Sequence, residues 1–480
     1  VEYSAIETGS AVRVGRARTE RRWRLFDDAV FWGVLAGLGW VPLRYGSNVL
    51  LTWGVNAIVF PGLLCFYELT AALPGRRHPV ALGSLGVSAA LFTAVILWAF
   101  LQTATWLPPS WGNPIWPMAA DALGRPVAAS ISVDRDLSAL ALLRLITAAS
   151  VFWLTVQLTR DARRARRLVV GVAAICAAYA AYGLVASKTG LGRWLDIPVA
   201  ADGRVTATFI NPNSYATYAG MGLIAASGLL IELYRKNAIY GGSRGLRLAV
   251  AIELLGGSGA ALIAALFIGL AALFLTGSRG GVMATAAGLA ALGAVAWRRG
   301  GRRRRPAGPI AVLLAVALAA AICFGAVFTD SLGERGLADS NRLAVSLLTL
   351  RSTLDAPLFG FGYGTFADVF PLYRDRSIGI AGTWGQAHNS YVETLQGLGF
   401  ALGAMLIATL VLLPLRCLRG ALHRQEHALA PQVAVGVACL VGVQAVVDFS
   451  LQIQAVALTF AALLGAGVAQ ATSSRVETGD

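Results

Sequence analysis

The sequence predicts an all-α polytopic membrane protein, with about twelve transmembrane helices and a large polar loop ahead of the last three. Three observations carry that expectation. Hydrophobic residues make up 56% of the 480 positions against 14% charged. The apolar residues come in runs of roughly 18–23, the length that crosses a bilayer core. Lysines and arginines cluster in the segments between those runs. A soluble bundle does not explain such run lengths. The formal charge of +15 would by itself suit nucleic acid, but basic residues confined to inter-span loops mark cytoplasmic loops, so the reading has no nucleic-acid partner.

Residues 1–27 read as a polar, basic cytoplasmic tail, followed by an apolar run near Ala29–Val41 that is retained as a first helix rather than cleaved. Spans are expected near 28–43, 49–69, 80–102, 137–159, 168–187, 213–233, 252–276, 282–297, 309–328, 391–415, 431–447 and 452–470. The stretch 28–328 is then a transmembrane bundle of about nine spans. A large periplasmic loop covers 329–390, C-terminal spans cover 391–470, and a cytoplasmic tail covers 471–480.

With the N-terminus inside, roughly 27 of the 40 lysines and arginines fall on the cytoplasmic side and roughly 12 outside, with Arg144 in a span. Reversing the chain reverses that bias. Arg144 and Glu253 are the main mid-span charges. Cys65, Cys176, Cys323, Cys417 and Cys439 lie in or beside apolar runs, and their odd number argues against a disulfide framework.

Three outer segments follow, near 103–136, 188–212 and 329–390. Trp106, Trp111 and Trp116 in the first suit an interfacial aromatic belt. In the third, Leu343, Leu347, Leu350 and Leu354 repeat at helical spacing, which predicts a helix over Ser340–Leu354 lying near the membrane surface.

Candidate chemistry gathers on that outer side. His388, in Gln386-Ala387-His388-Asn389-Ser390-Tyr391, opens the tenth span, and imidazole is the side chain best suited to take a proton near neutral pH. Arg279 sits in the compact turn Thr276-Gly277-Ser278-Arg279-Gly280-Gly281, and guanidinium grips phosphate oxygens in a bidentate way. Arg204 precedes Asn211-Pro212-Asn213-Ser214, whose asparagines read as a helix N-cap that would itself favour an anion. The blander readings are a lipid-headgroup contact for each arginine and a capping role for His388. Asp134 and Asp136 have the spacing of a metal-binding pair but also suit the start of a helix. Gly360-Phe361-Gly362-Tyr363-Gly364 reads as a turn, since no strand or lysine accompanies it. Glu393 need not touch His388, and Asp448 either orients the histidine or ends a helix.

Taken together, residues 204–213 (Arg-Val-Thr-Ala-Thr-Phe-Ile-Asn-Pro-Asn), 276–281 (Thr-Gly-Ser-Arg-Gly-Gly), 357–366 (Pro-Leu-Phe-Gly-Phe-Gly-Tyr-Gly-Thr-Phe) and 387–391 (Ala-His-Asn-Ser-Tyr) resemble the O-antigen ligase and polymerase family. These are bacterial inner-membrane glycosyltransferases of the GT-C type. The resemblance runs from about residue 168 to 470, while the N-terminal third matches only as generic spans. It implies an undecaprenyl-diphosphate-linked glycan donor; a glycan, a lipid A core or a protein as acceptor; contact with membrane lipids; no cofactor and no metal; and an active site on the periplasmic side. It also implies His388 as general base and Arg279 and Arg204 as partners of the diphosphate, with Arg342 a further match; Asn211, Asn213, Asn389 and Tyr391 are expected at the substrate. Polymerase, ligase and protein glycosyltransferase remain open. A small-anion transporter or a non-catalytic assembly partner is the contrasting reading, and scarce mid-span charge weighs against transport.

Overall fold

Backbone polar groups inside a bilayer must be satisfied within their own segment, so apolar runs of this kind form helices. The computed structural model describes residues 22–73, 76, 78–191, 203–238, 257–299, 307–335, 340–378, 382–424 and 426–472. Among the described residues there is no strand, only an isolated bridge between Tyr45 and Phe209. In chain order the helices are α1 (22–40), α2 (Leu50–Ala71), α3 (Val87–Thr103), α4 (Ile115–Leu123), α5 (Arg135–Leu158), α6 (Ala162–Thr189), α7 (Pro212–Ala238) and α8 (Gly257–Leu275). Then come α9 (Arg279–Arg299), α10 (Ala307–Arg335), α11 (Ser340–Thr353), α12 (Phe366–Val369), α13 (Ser390–Leu398), α14 (Phe400–His423), α15 (Leu429–Gln444) and α16 (Gln454–Ala471). Eight of these, α2, α5, α6, α7, α8, α9, α14 and α16, are long and apolar enough to cross a membrane; α3, α15 and Pro309–Gly325 of α10 are shorter apolar helices. The chain is an all-α, multi-pass membrane protein.

Helices α7 and α16 stand at the centre, almost wholly buried. Their composition explains it. Lipid supplies little hydrophobic drive between helices, so close approach selects small residues. Gly465 of α16 backs onto Thr155 of α5 and Gly467 onto Ala434 of α15, so closely that neither leaves room for a Cβ. Two of the polar side chains buried in the same helix hydrogen-bond to neighbouring elements. Asn56 donates to Gln454 Oε1 at 2.6 Å, and Gln470 donates to the carbonyls of Thr159 and Arg160 at 2.6 and 3.0 Å.

One expected span is divided. The sequence places it over 391–415, but the chain forms α13, breaks at Gly399 and resumes as α14. Gly399 has φ +80°, and the carbonyl of Leu358 lies where its Cβ would be. The glycine run beside it is the cause. Gly360 and Gly362 adopt φ +69° and +110°, which lets Phe361 and Gly362 donate to Gln396 O and Gly397 O, both at 3.0 Å. Gln102 of α3 closes the junction from the other side, donating to Phe359 O at 2.7 Å and Gly397 O at 2.8 Å. The run is a turn wedged between α3 and α13, as its sequence suggested. At the other end of the chain, residues 22–27, expected in the tail, are already helical.

The polar segment ahead of α13 has its own small core of Val345, Leu348, Phe366, Phe370, Ile378 and Ala387, which seats α11 and α12 against α13. Helix α11 occupies most of the stretch expected to be helical. The periodic leucines Leu343, Leu347, Leu350 and Leu354 all lie on its exposed side, while Val345 and Leu348 face inward. Of the tryptophans expected in a belt, Trp106 is open; Trp111 packs on Phe359 at 5.2 Å between rings, and Trp116 donates to Ser132 O at 3.0 Å. Residues 1–21 of the tail, 192–202, Glu253, most of the 298–305 basic run and 473–480 lie outside the described residues.

Candidate active site at the His388 end of the helices

Three helix N-termini meet at the turn joining α15 to α16. Helix α7 is capped by Asn211, whose Oδ1 accepts from the Asn213 amide at 2.8 Å, with Pro212 as its first residue. Helix α9 is capped by Ser278, whose Oγ accepts from the Gly281 amide at 3.1 Å. Helix α13 is capped by Asn389, whose Oδ1 accepts from the amides of Tyr391 and Val392 at 3.1 and 3.2 Å. Each then touches the same turn. Asn213 donates to Asp448 at 3.3 Å, the Ser390 amide to Ala445 O at 2.8 Å, and Gly280 lies against Gln444 and Val447. The positive ends of three helix dipoles are thereby brought to one place.

Asp448 is the hub. It is fully buried, and its Oδ1 faces Asn213 Nδ2, His388 Nδ1 at 3.5 Å and Arg342 Nη1 at 3.8 Å. Its Oδ2 accepts from the Ser450 hydroxyl, and its carbonyl from Ser390 Oγ at 3.0 Å. Arg342, on the first turn of α11, also donates to Val447 O at 3.2 Å. His388 adopts φ +53°, a left-handed conformation costly for a non-glycine residue. Its ring sits between Trp384 and Phe449, with centroids 5.6 and 5.1 Å away. The imidazole is mostly enclosed, 18% exposed, and Nδ1 makes no formed hydrogen bond; the carboxylate stands just beyond that distance.

Arg279 is the first residue of α9, and its Nη1 is buried without a hydrogen-bond partner. Against the next residue, Gly280, lies Oε1 of the buried Gln444, which is also unpaired. Arg204 comes to the same end through its backbone: the next amide, Val205, donates at 2.9 Å to Leu275 O, four residues before Arg279. Of the other residues expected at the substrate, Tyr391 donates its hydroxyl to Gly442 O at 2.9 Å, and Asn211 and Asn389 are occupied as caps. The structure therefore brings His388, Asn213 and Arg342 together directly, and Arg279 and Arg204 by the elements that carry them.

Away from this cluster, Asp134 is the N-cap of α5, accepting from the Leu137 amide at 2.9 Å. Burial, with the charge of Asp134 adding to it, raises the Asp368 carboxyl above the ordinary range. Asp448, read from the sequence as either orienting the histidine or ending a helix, becomes the central residue. Its one visible signal is a lone acid beside Phe449-Ser450 between two apolar runs.

Residues 264–407 match the family model described as O-antigen ligase. This stretch is similar to the O-antigen ligase family. It runs from within α8 into α14 and includes Arg279, Arg342 and His388; α7, with Asn213, and the turn holding Asp448 lie outside it. Among curated proteins no sequence matches the chain.

Proposed function

We propose that the protein is an inverting glycosyltransferase that transfers or polymerises undecaprenyl-diphosphate-linked oligosaccharide units at the periplasmic face of the inner membrane. The observation that carries this reading is the group at Asp448: an enclosed imidazole backed by a buried carboxylate, with Arg279 at a neighbouring helix N-terminus holding a buried Nη1 that has no hydrogen-bond partner. His388 Nδ1 faces the carboxylate, leaving the other ring nitrogen to take the proton from an acceptor hydroxyl. The freed oxygen forms a bond to the anomeric carbon from the face opposite the diphosphate. The carbon–oxygen bond to phosphate breaks, its electron pair leaves with the diphosphate, and the anomeric configuration inverts. Arg279, Arg204 and three helix N-termini supply fixed positive potential where that charge builds, and Asp448 stabilises the imidazolium.

A lipid-core acceptor is the second reading, favoured by the ligase description of the matching family. One assay separates the possibilities. Purified protein is given a lipid-linked oligosaccharide alone, and then with a lipid A core or an acceptor protein. Chain growth with donor alone supports polymerisation, and transfer only when a second acceptor is present supports ligation or protein glycosylation. Uptake into vesicles with the donor intact and no new glycosidic bond overturns the enzyme reading in favour of a carrier.

A further inference from the structure

The element that fixes His388 against Asp448 is a buried carboxylate on the next turn of helix. Glu393 is 9% exposed, and its Oε2 accepts from the Ala387 amide at 2.9 Å. With Asn389 holding the amides of Tyr391 and Val392, the two side chains clasp the chain on both sides of His388. This is a capping box that reaches one residue further into the helix and two residues further back along the chain. The same carboxylate lies within electrostatic reach of the side chains of Gln452 and Arg144. Arg144 in turn donates to Gln452 O at 3.2 Å. Gln452 closes the turn that carries Asp448. Glu393 thus holds the loop of the histidine directly and stands near Arg144, which holds the turn of the aspartate.

Such a tie has work to do. The backbone of His388 is held at φ +53°, a conformation that persists only where the surroundings over-determine it. The peptide entering it is the one Glu393 grips. We infer that Glu393 is a positioning residue, which sets the register of the His388 loop on the Asp448 turn through its hydrogen bond to the Ala387 amide. This rests on the reading of His388 as the base.

The test compares Glu393→Gln with Glu393→Met. Both remove the charge beside Arg144 and keep nearly the same volume, but only glutamine retains an acceptor for the Ala387 amide. Glutamine is expected to keep transfer within about 3-fold of the parent, and methionine to lower kcat by roughly 10²-fold with KM little changed, the scale of a 1 Å misplacement. Thermal unfolding in detergent confirms that both variants are folded. Equal rates for the two, or a change confined to KM, overturn the inference. His388→Ala, measured alongside, keeps the two claims apart. An inactive His388→Ala with equal Gln and Met variants removes the positioning role and leaves the base; a fully active His388→Ala removes the base whatever Glu393 does.

Discussion

At the far end of α16 from Asp448, the arginines are absorbed by the fold. Arg160 donates to Ala469 O at 3.1 Å and Thr472 O at 2.9 Å, Arg424 to Thr472 O at 2.5 Å, and Arg416 to Thr472 Oγ1 at 3.0 Å. Arg299 and Arg235, in the last turns of α9 and α7, donate to the carbonyls of Arg424 and Ala296. Arg76 meets Asp27 at 2.5 Å. Helix C-termini carry partial negative charge, so each such cation is favoured by about 0.3–1 kcal/mol. Arg279 has the reverse placement. It opens α9 at the positive end, with a buried Nη1 that nothing accepts from. Among the described arginines at the far end, only the inner Nε of Arg164 and Arg235 is left buried and unpaired, whereas Arg279 leaves a terminal nitrogen so; the Arg279 end is where an anion has most to gain.

The comparison breaks most sharply at His388. His388→Ala is expected to leave a folded protein whose transfer falls by roughly 10²–10⁴-fold, read as glycan product per folded molecule; near-full transfer at normal expression ends the base reading. Next in size is Arg279→Ala, which loses one preorganised donor to the leaving group and should lower kcat by roughly 10²–10³-fold. Because Arg279 forms no ion pair among the described residues, its unfolding temperature is expected to stay near the parent's. A variant that unfolds instead of slowing would make Arg279 structural, like its counterparts at the other end.

Arg76→Ala reverses that pattern. Its side chain is 7% exposed, bonded to Asp27 and stacked over Trp23, Phe26 and Tyr67 at 4.8, 4.8 and 4.9 Å. Removing one member of a buried pair costs about 3–5 kcal/mol, with surviving Arg164 at 3.7 Å from Asp27 holding the loss toward the lower value. Thermal unfolding should show the loss while turnover per folded molecule stays constant. A drop in turnover without destabilisation would tie this end to the chemistry.

Much of the helical layout was legible because bilayer crossing demands long apolar runs, and those are local in sequence. The break at Gly399 was not, since it depends on Leu358 crossing beside it. His388, Arg279 and the capping asparagines were visible as polar exceptions at span ends. Asp448 was visible as one possible partner of His388 but not of Asn213 or Arg342, and Glu393 was visible as a residue without its partner. Asp448 meets Asn213 across 235 positions, a separation no periodicity reports. Helical geometry set Glu393 apart from His388 correctly; its contact is with the Ala387 amide instead.

The smallest effect sharpens the line between capping and substrate contact. Asn389 was expected at the substrate, yet its Oδ1 holds two amides of α13. If capping is its whole role, Asn389→Ser should preserve both stability and transfer, because serine caps nearly as well, whereas Asn389→Ala should lose about 1 kcal/mol. The loss should appear as a lower unfolding temperature, with a modest fall in kcat because the same cap follows His388 directly. If serine folds as stably as asparagine but transfers poorly, the missing amide group was reaching the sugar. In that case the polar loop at this end serves the acceptor as well as the helix it starts.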